Sequence, residues 1–510
     1  MKSRFKTISL SAILLVFSTA AVARPIHIIH TNDLHSHMEF AGSRPERGGF
    51  AAVKRVIDRL RADSQARGIP TLVLDGGDFS EGSPLFLADE GLRSWQALNE
   101  MGYDAVALGN HDYQIGTTGM DDLLSRFDPR FALLAANYSV SKDFPHAQRA
   151  IQPSASFTRG GLRIAVMGLT TDELFYRWTA SPGGKVRNPV KTAEKVAREL
   201  NRSHDIVIAL THTGVEVDHQ LLERVPELTL VVGGHSHTFL HEPVKVVRKD
   251  APTGFYVQTG EHGRFVGDLL VDLEPGREPV VLRYQLVDVE RETVGEDPQM
   301  QEFVAETRQA LEDRYGRGWM DEVIAWSDIP MDRPIRGTTE WSRIFVKTFR
   351  ERTGADVGLD VGEFYGESQP GGPITRDKLI RYYPRIFNPK EKRGWTIWTV
   401  GLHGKALTEI IEGVAASGIF FNLDGLTYTK TYDKTGKLKL KDFRIHGKWV
   451  NPVKRYKVAV SEGLGLGSKR ANWFARAYFR PRNTGIFVWE AVEAQLRALR
   501  VAESPSSVRQ

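Results

Sequence analysis

Between Pro25 and Glu274 the chain repeats one pattern. A short run of apolar residues reads as a buried strand and then breaks into a polar loop. Ile26-His27-Ile28-Ile29-His30 runs into Thr31-Asn32-Asp33, and Thr71-Leu72-Val73-Leu74 into Asp75-Gly76-Gly77-Asp78. Ala105-Val106-Ala107-Leu108 runs into Gly109-Asn110-His111-Asp112. Ile206 to Leu210 leads to Thr211-His212, and Leu228 to Val232 leads to Gly233-Gly234-His235-Ser236-His237. Stretches of helical spacing, such as Phe50 to Ala62 and Gly91 to Met101, lie between several of these runs. The pattern predicts a layered α/β domain. Its polar groups should sit on loops just past the strand ends, with glycines letting the backbone turn beside them.

The pattern changes near residue 290. Asp297 is placed to cap a helix with Pro298 at its first position, and Met300, Phe303, Val304, Thr307, Leu311 and Tyr315 follow at helical spacing until Gly316. This predicts a helix joining two domains. The rest of the chain, to about Val501, reads as a second, smaller α+β domain holding eight of the ten tryptophans. Lys437-Leu438-Lys439-Leu440-Lys441 alternates like a half-buried strand after the turn Asp433-Lys434-Thr435-Gly436, with its lysines on a solvated face. Gly463-x-Gly465-x-Gly467 lacks a strand-turn-helix context and reads as a loop, and Ala502 to Gln510 as a frayed tail. The expected divisions are 1–23, 24–290, 291–320, 321–501 and 502–510.

The first segment reads as a cleavable signal peptide. Lys2, Arg4 and Lys6 precede the apolar stretch Ile8 to Phe17, and Ala21-Val22-Ala23 forms a small-x-small cleavage site before Arg24. The stretch is short of the roughly 20 residues that span a bilayer, and no later segment qualifies, so no membrane span is expected in the mature chain. The formal charge of +5 includes three signal-peptide cations, so the mature chain is near +2. That gives no argument for a nucleic-acid polymer as partner. There are no cysteines, which excludes disulfides and thiolate nucleophiles and restricts any metal to oxygen and nitrogen ligands.

Such ligands are abundant in the first domain, which holds thirteen of the fifteen histidines. Two metals held close together need several hard or borderline ligands and a bridging carboxylate. Five strand-end loops supply them as Asp33-x-His35, Gly77-Asp78, Gly109-Asn110-His111-Asp112, Thr211-His212 and Gly234-His235-Ser236-His237. Each fragment alone is weak, and a lone histidine after a strand is more often structural. The conjunction of five, all in the same position relative to a strand, points to a metal centre. His30 reads as a strand residue, and His37 and Asp112 as supports of the site. His204, His219, His241, His403 and His446 read as surface residues.

The ordered set D-x-H, G-G-D, G-N-H-D, T-H, G-H-x-H resembles the signature of calcineurin-like metallophosphoesterases. Its variants Thr31-Asn32-Asp33-Leu34-His35, Gly109-Asn110-His111-Asp112 and Gly233-Gly234-His235-Ser236-His237 resemble the 5′-nucleotidase branch, which includes periplasmic UDP-sugar hydrolases. The resemblance implies a catalytic β-sandwich flanked by helices, joined by a helix to an α+β substrate domain. It implies a periplasmic, monomeric enzyme with two divalent metal ions, zinc or manganese first and iron also compatible. Asp33, His35 and His237 would hold the first metal, Asn110, His212 and His235 the second, and Asp78 would bridge them. The metals would activate a bridging water as hydroxide, and His111 would stabilise charge at the scissile phosphate. Relatives often pair that histidine with an Asp three residues on. Here Gln114 stands instead, which can orient the ring but not stabilise its charged form, so His111 is expected to titrate lower than in a His–Asp pair.

The second domain keeps only echoes of the family's nucleotide-binding marks. Val361-Gly362-Glu363-Phe364-Tyr365-Gly366 stands where a Gly-Gly-x-Arg turn is usual, without the arginine. Arg385, Phe387, Phe420 and Trp473 are the candidates for substrate contact, with Arg376, Arg381, Phe421 and Phe474 as further members of an anion-and-ring pocket. The substrate expected from the resemblance is a small phosphate ester, a nucleotide by family default. A non-nucleotide phosphate, a cyclic nucleotide, a UDP-sugar or a sulfur-group ester is the alternative, and a non-catalytic binding protein on the same fold is a third reading.

Overall fold

The computed structural model describes residues 25–173, 183–335, 337–386, 394–470 and 478–503. The expected signal peptide lies outside the described residues. The first domain is built on two sheets stacked face to face. One has seven strands in the order Val280–Asp288, Phe265–Asp272, Pro25–Thr31, Thr71–Asp75, Ala105–Ala107, Ala132–Leu134, Ile151–Gln152. The other has six, in the order Val244–Val246, Gly254–Val257, Leu228–Val232, Ile206–His212, Leu162–Thr170, Ser154–Arg159.

Alternation along each strand decides what lies between the layers. Ile26, Ile28, Leu72, Leu74, Ile206, Ile208, Leu230 and Val232 point between the sheets and form the central core. Ile29, Val73 and Val106 point the other way, into a core shared with the helices Phe50–Ala66 and Leu92–Met101. Val207, Ala209 and Val231 pack against the helices Pro189–Leu200 and Val215–Arg224. The result is a β-sandwich with a helical layer on each outer face.

The inner strands pair in parallel: Pro25–Thr31 with Thr71–Asp75, that strand with Ala105–Ala107, and Ile206–His212 with Leu228–Val232. Parallel strands finish at a common edge, where α/β folds carry their sites, and the five candidate loops all leave from such ends.

The helix Pro298–Tyr315 forms as expected, with the Asp297 side chain accepting from the Met300 N–H at 2.9 Å. Its Met300, Val304 and Leu311 are buried in the first domain's helical core. The second domain centres on a five-stranded sheet ordered Phe421–Asp424, Val357–Val361, Arg455–Ser461, Thr396–His403, Arg482–Phe487. The alternating lysine segment belongs to the strand Leu438–Ile445, paired with Leu426–Tyr432.

Two sequence expectations need correction. The glycine triplet forms no loop but lies in the helix Glu462–Arg470. A Cβ on Gly463 would meet the Trp395 and Phe364 rings, and one on Gly465 the Trp398 indole, so the glycines let this helix lie close against large aromatics. The helix Val488–Glu503 includes Ala502 and Glu503, so the expected tail starts later than 502, and its remainder lies outside the described residues.

Candidate metal centre

The strand ends bring all seven predicted ligands to one place. Asp33 follows the strand Pro25–Thr31, Asp78 follows Thr71–Asp75, and Asn110 opens a short helix after Ala105–Ala107. His212 is the last residue of Ile206–His212, and His235 and His237 follow Leu228–Val232. Five of the seven, Asp33, His35, Asp78, His235 and His237, have φ between 48° and 82°, a region that non-glycine residues seldom occupy. Strain gathered on polar residues at one spot marks a site held in shape for a purpose other than stability.

The groups form two overlapping sets. His237 Nε2 lies 3.1 Å from Asp33 Oδ1, and His35 Nε2 lies 3.2 Å from His237 Nε2 and 3.7 Å from Asp33 Oδ1. His212 Nε2 lies 3.0 Å from Asp78 Oδ2, the same oxygen that is 3.9 Å from His35 Nε2. Asp78 therefore stands between the sets. Metal-compatible groupings recur as Asp33, His35 and His237, and as Asp78, His212 and His235.

Hydrogen bonds at the far side of each ring say which atoms face inward. His35 Nδ1 donates to the Glu81 carbonyl at 2.9 Å, and His212 Nδ1 to the Gly76 carbonyl at 2.8 Å, which leaves Nε2 of each turned toward the centre. His237 Nδ1 is paired with Glu261, and His235 Nε2 with Glu173 at 3.0 Å. Asp33 Oδ2 accepts from the His235 N–H at 2.9 Å and from Asn32 at 2.7 Å. By contrast Asp33 Oδ1, Asn110 Oδ1 and His212 Nε2 are buried without a hydrogen bond among the described residues. Buried nitrogen and oxygen atoms that converge without well-formed hydrogen bonds suit cations. The residues present therefore fit a pair of divalent ions.

Charge agrees. Burial alone would lower His212 and His237, yet Asp78 and Asp33 push His212 up to about 9, and Glu261 and Asp33 push His237 up to about 10. Burial would likewise raise Asp33 and Asp78, but the surrounding histidines hold both below the usual carboxylate range. Asp112 ties the loops together by accepting from the N–H groups of Asp78, Ser80 and Gly109 at 3.0, 3.0 and 2.7 Å. Gly109 is required by close approach, since a Cβ there would strike Asp78.

His111 lies beside the ligands, its N–H donating to Asp78 Oδ1 at 2.7 Å and its Nε2 4.0 Å from Asp78 Oδ2. Burial lowers its ring to about 4 against the opposing pull of Asp78 and Glu81. The low value lies in the direction expected from Gln114, but the ring is not without a carboxylate. His111 Nδ1 has a carboxylate partner, Glu81 Oε2 at 2.9 Å, while Gln114 Nε2 makes no hydrogen bond among the described residues.

Of the substrate candidates, Arg385 enters the site, with Nη1 3.1 Å from His111 Nε2. Its guanidinium is fixed by the Phe364 and Glu363 carbonyls and lies against the rings of Phe364 and Trp395. Phe420 does not line the cavity; it packs on the second domain's core with Lys430 over its ring. Arg376 is also elsewhere, bound to Glu322 and Glu493. Phe387, Trp473 and Phe474 lie outside the described residues. Sequence reasoning passed over Glu81, Glu173, Glu261, Glu363 and Glu367, all of which line the cavity. Glu173 was within reach of the strand-end rule, because it stands three residues beyond the strand Leu162–Thr170.

Comparison with known proteins agrees with this geometry. Residues 26–239 match the model for calcineurin-like phosphoesterases, and residues 326–476 that for the 5′-nucleotidase C-terminal domain. The chain is a calcineurin-like phosphoesterase with a 5′-nucleotidase C-terminal domain. Protein UshA of Escherichia coli K12 is 27% identical to this phosphoesterase, over 92% of this chain and 90% of its own. A 5′-nucleotidase of Vibrio cholerae is 27% identical over 86% and 85%. The trifunctional nucleotide phosphoesterase YfkN of Bacillus subtilis is 25% identical over 94% of this chain, which spans only 34% of that relative. The 5′-nucleotidase precursor of Thermus thermophilus shares the fold, with a TM-score of 0.78 at 24% identity over 93% of this chain and 96% of its own. The phosphoesterase is a metal-dependent phosphoric ester hydrolase, so the non-catalytic reading falls away. Among the described residues no helix is long and apolar enough to cross a membrane.

Proposed function

We propose that this phosphoesterase is a periplasmic, monomeric hydrolase of nucleotide phosphomonoesters, of the 5′-nucleotidase type. The observation that carries the chemistry is the convergence of Asp33 Oδ1, Asn110 Oδ1 and His212 Nε2, buried and without donors, on a space ringed by His35, Asp78, His235 and His237. Asp33, His35 and His237 would hold one divalent ion, Asn110, His212 and His235 a second, and Asp78 both, with zinc or manganese suiting these nitrogen and oxygen ligands and iron also compatible. Bound there, the ions would supply an acidified water for attack and offset the charge of the phosphoryl oxygens.

The rest falls to side chains. Arg385 reaches from the second domain to within 3.1 Å of His111, so a guanidinium and an imidazole stand together on the wall of the cavity that would receive the scissile phosphate. His111 faces the ester and stabilises charge on its oxygens. Nucleotides are favoured by the activities for which the relatives are named, 5′-nucleotidase and nucleotide phosphoesterase. One observation keeps the wider substrate class in view: Phe420, offered as a base-stacking ring, does not line the cavity.

The deciding experiment is a release assay with AMP, a cyclic nucleotide, a UDP-sugar, a sugar phosphate and an aryl phosphate, each with and without added Zn²⁺ or Mn²⁺. Metal-dependent release of phosphate from AMP is expected. Cleavage of the aryl phosphate without cleavage of AMP would remove the nucleotide assignment. No hydrolysis of any ester by metal-loaded protein would remove the hydrolase itself.

A further inference from the structure

We propose that Glu81, on the loop that carries Asp78, is the positioning residue for His111 and fixes which ring nitrogen works on the ester. The carboxylate Oε2 lies 2.9 Å from His111 Nδ1, and both side chains are buried. On the other side of the ring, Nε2 faces Arg385 Nη1 at 3.1 Å. A guanidinium has donors only, so Nε2 accepts there and the ring hydrogen sits on Nδ1, donated to Glu81. Glu81 thereby holds the tautomer whose Nε2 is turned to the cavity. Once a substrate phosphate draws Arg385 onto itself, Nε2 is left facing the ester; a proton taken up there from solvent then passes to the departing alkoxide oxygen, and the Glu81 carboxylate offsets the positive charge the ring carries in between.

Glu81 is not placed like an ordinary turn residue. Its φ of 52° is a conformation better suited to glycine or asparagine, and burying a carboxylate carries a further desolvation cost. Both costs fall on one residue. Its neighbours lock it there: the Ser80 N–H donates to Asp112 at 3.0 Å, and the Glu81 carbonyl accepts from His35. A Cβ on Gly82 would come within 2.7 Å of His35 Cβ, so the loop cannot back away from the metal ligands. One residue thus steers two histidines, His35 through its carbonyl and His111 through its carboxylate. Gln114, one helical turn beyond His111, has no part in this.

The inference rests on the hydrolase reading but not on the nucleotide. Its test is Glu81→Gln, assayed on 4-nitrophenyl phosphate and on a simple alkyl phosphate, with metal content measured on the same samples. Because an alkoxide needs help in departing and a nitrophenolate does not, kcat for the alkyl ester is expected to fall by about 10- to 100-fold. For the aryl ester it should fall by less than about threefold, with KM and metal content unchanged. An equal loss on both esters, or none, at full metal content would overturn the positioning role. If Glu81→Gln folds poorly or loses metal, Glu81→Asp is assayed the same way. It keeps the charge but withdraws it by one methylene, and it must show the same split between esters. Wild-type protein that cleaves neither ester would instead dismiss the hydrolase reading.

Discussion

His212 and His237 hold protons near neutral pH because Asp33, Asp78 and Glu261 surround them, His212 at about 9 and His237 at about 10. A metal takes imidazole only in its neutral form, so each ion that loads must displace a proton. Metal affinity is therefore expected to weaken steadily as pH falls below about 9, and loading should acidify an unbuffered solution. Competition with a fluorescent chelator across pH checks the first, and a pH indicator the second. Affinity flat from pH 6 to 9 would refute this account. In the proposed ligand set Asp78 serves both ions, so Asp78→Ala should lower kcat/KM by at least about a thousandfold, with loss of bound metal. Activity that survived both that change and chelation would refute the two-ion chemistry. At this scale the sequence was most legible where position alone matters. Asp33, His35, Asp78, Asn110, His235 and His237 follow strands and His212 ends one, and apolar runs reveal strands. What it could not show was partnership across loops. Glu81 sits three residues after Asp78 and thirty before His111, and no spacing rule ties it to a ring on another loop. Gln114 was near in sequence and drew the inference that belonged to Glu81.

Among elements, the edge of the sandwich is held by a buried polar knot. Asp268 on the strand Phe265–Asp272 lies 2.8 Å from His27 Nε2 on the neighbouring strand Pro25–Thr31, and it accepts from Arg283 and Gln285 on the far side. Burial would raise its carboxyl, but these hydrogen bonds bring it down to about 2. A depressed folded value contributes stability that is fully present above the unfolded value of about 4 and is lost as pH falls toward 2. Acid unfolding followed by circular dichroism should steepen in that window, and Asp268→Asn should flatten the pH dependence while lowering stability at neutral pH. An unchanged acid limb in the variant would show that the knot does not control it. The strands themselves were readable as short apolar runs that break into polar loops. The helix Glu462–Arg470 was not, because glycine is a poor helix former and its use here is set by Trp395 and Trp398, partners that lie elsewhere in the sequence.

Across the whole molecule the two domains meet through a few charged contacts around the cavity. Glu367 of the second domain accepts from the Ser43 N–H at 3.2 Å, lies 3.1 Å from His262 Nδ1 and pairs with Arg264. Arg381 lies over the Phe40 ring at 4.5 Å, and Ile380 and Ile386 join the first domain's core. Removing the Glu367 carboxylate would leave the largely covered Arg264 guanidinium without this partner and His262 without its acceptor, a loss of about 2 kcal/mol. Glu367→Ala should therefore lower Tm by several degrees while leaving metal content intact, and scanning calorimetry with metal analysis checks both. A variant as stable as the wild type would show that this clasp contributes nothing to holding the halves together. None of it was legible beforehand, because a cross-domain contact leaves no periodic trace in either partner.

The helix Pro298–Tyr315 reads in the sequence as a connector, yet Met300, Val304 and Leu311 are set into the same apolar layer as the helix Phe50–Ala66. A protease nick or gene truncation just before Pro298 would uncover that layer and invite clumping. A cut beyond Met320, which is also in the layer, would keep the helix in place and uncover the layer only where Ile380 and Ile386 rest on it. The natural seam of the molecule thus runs after the connector rather than through it.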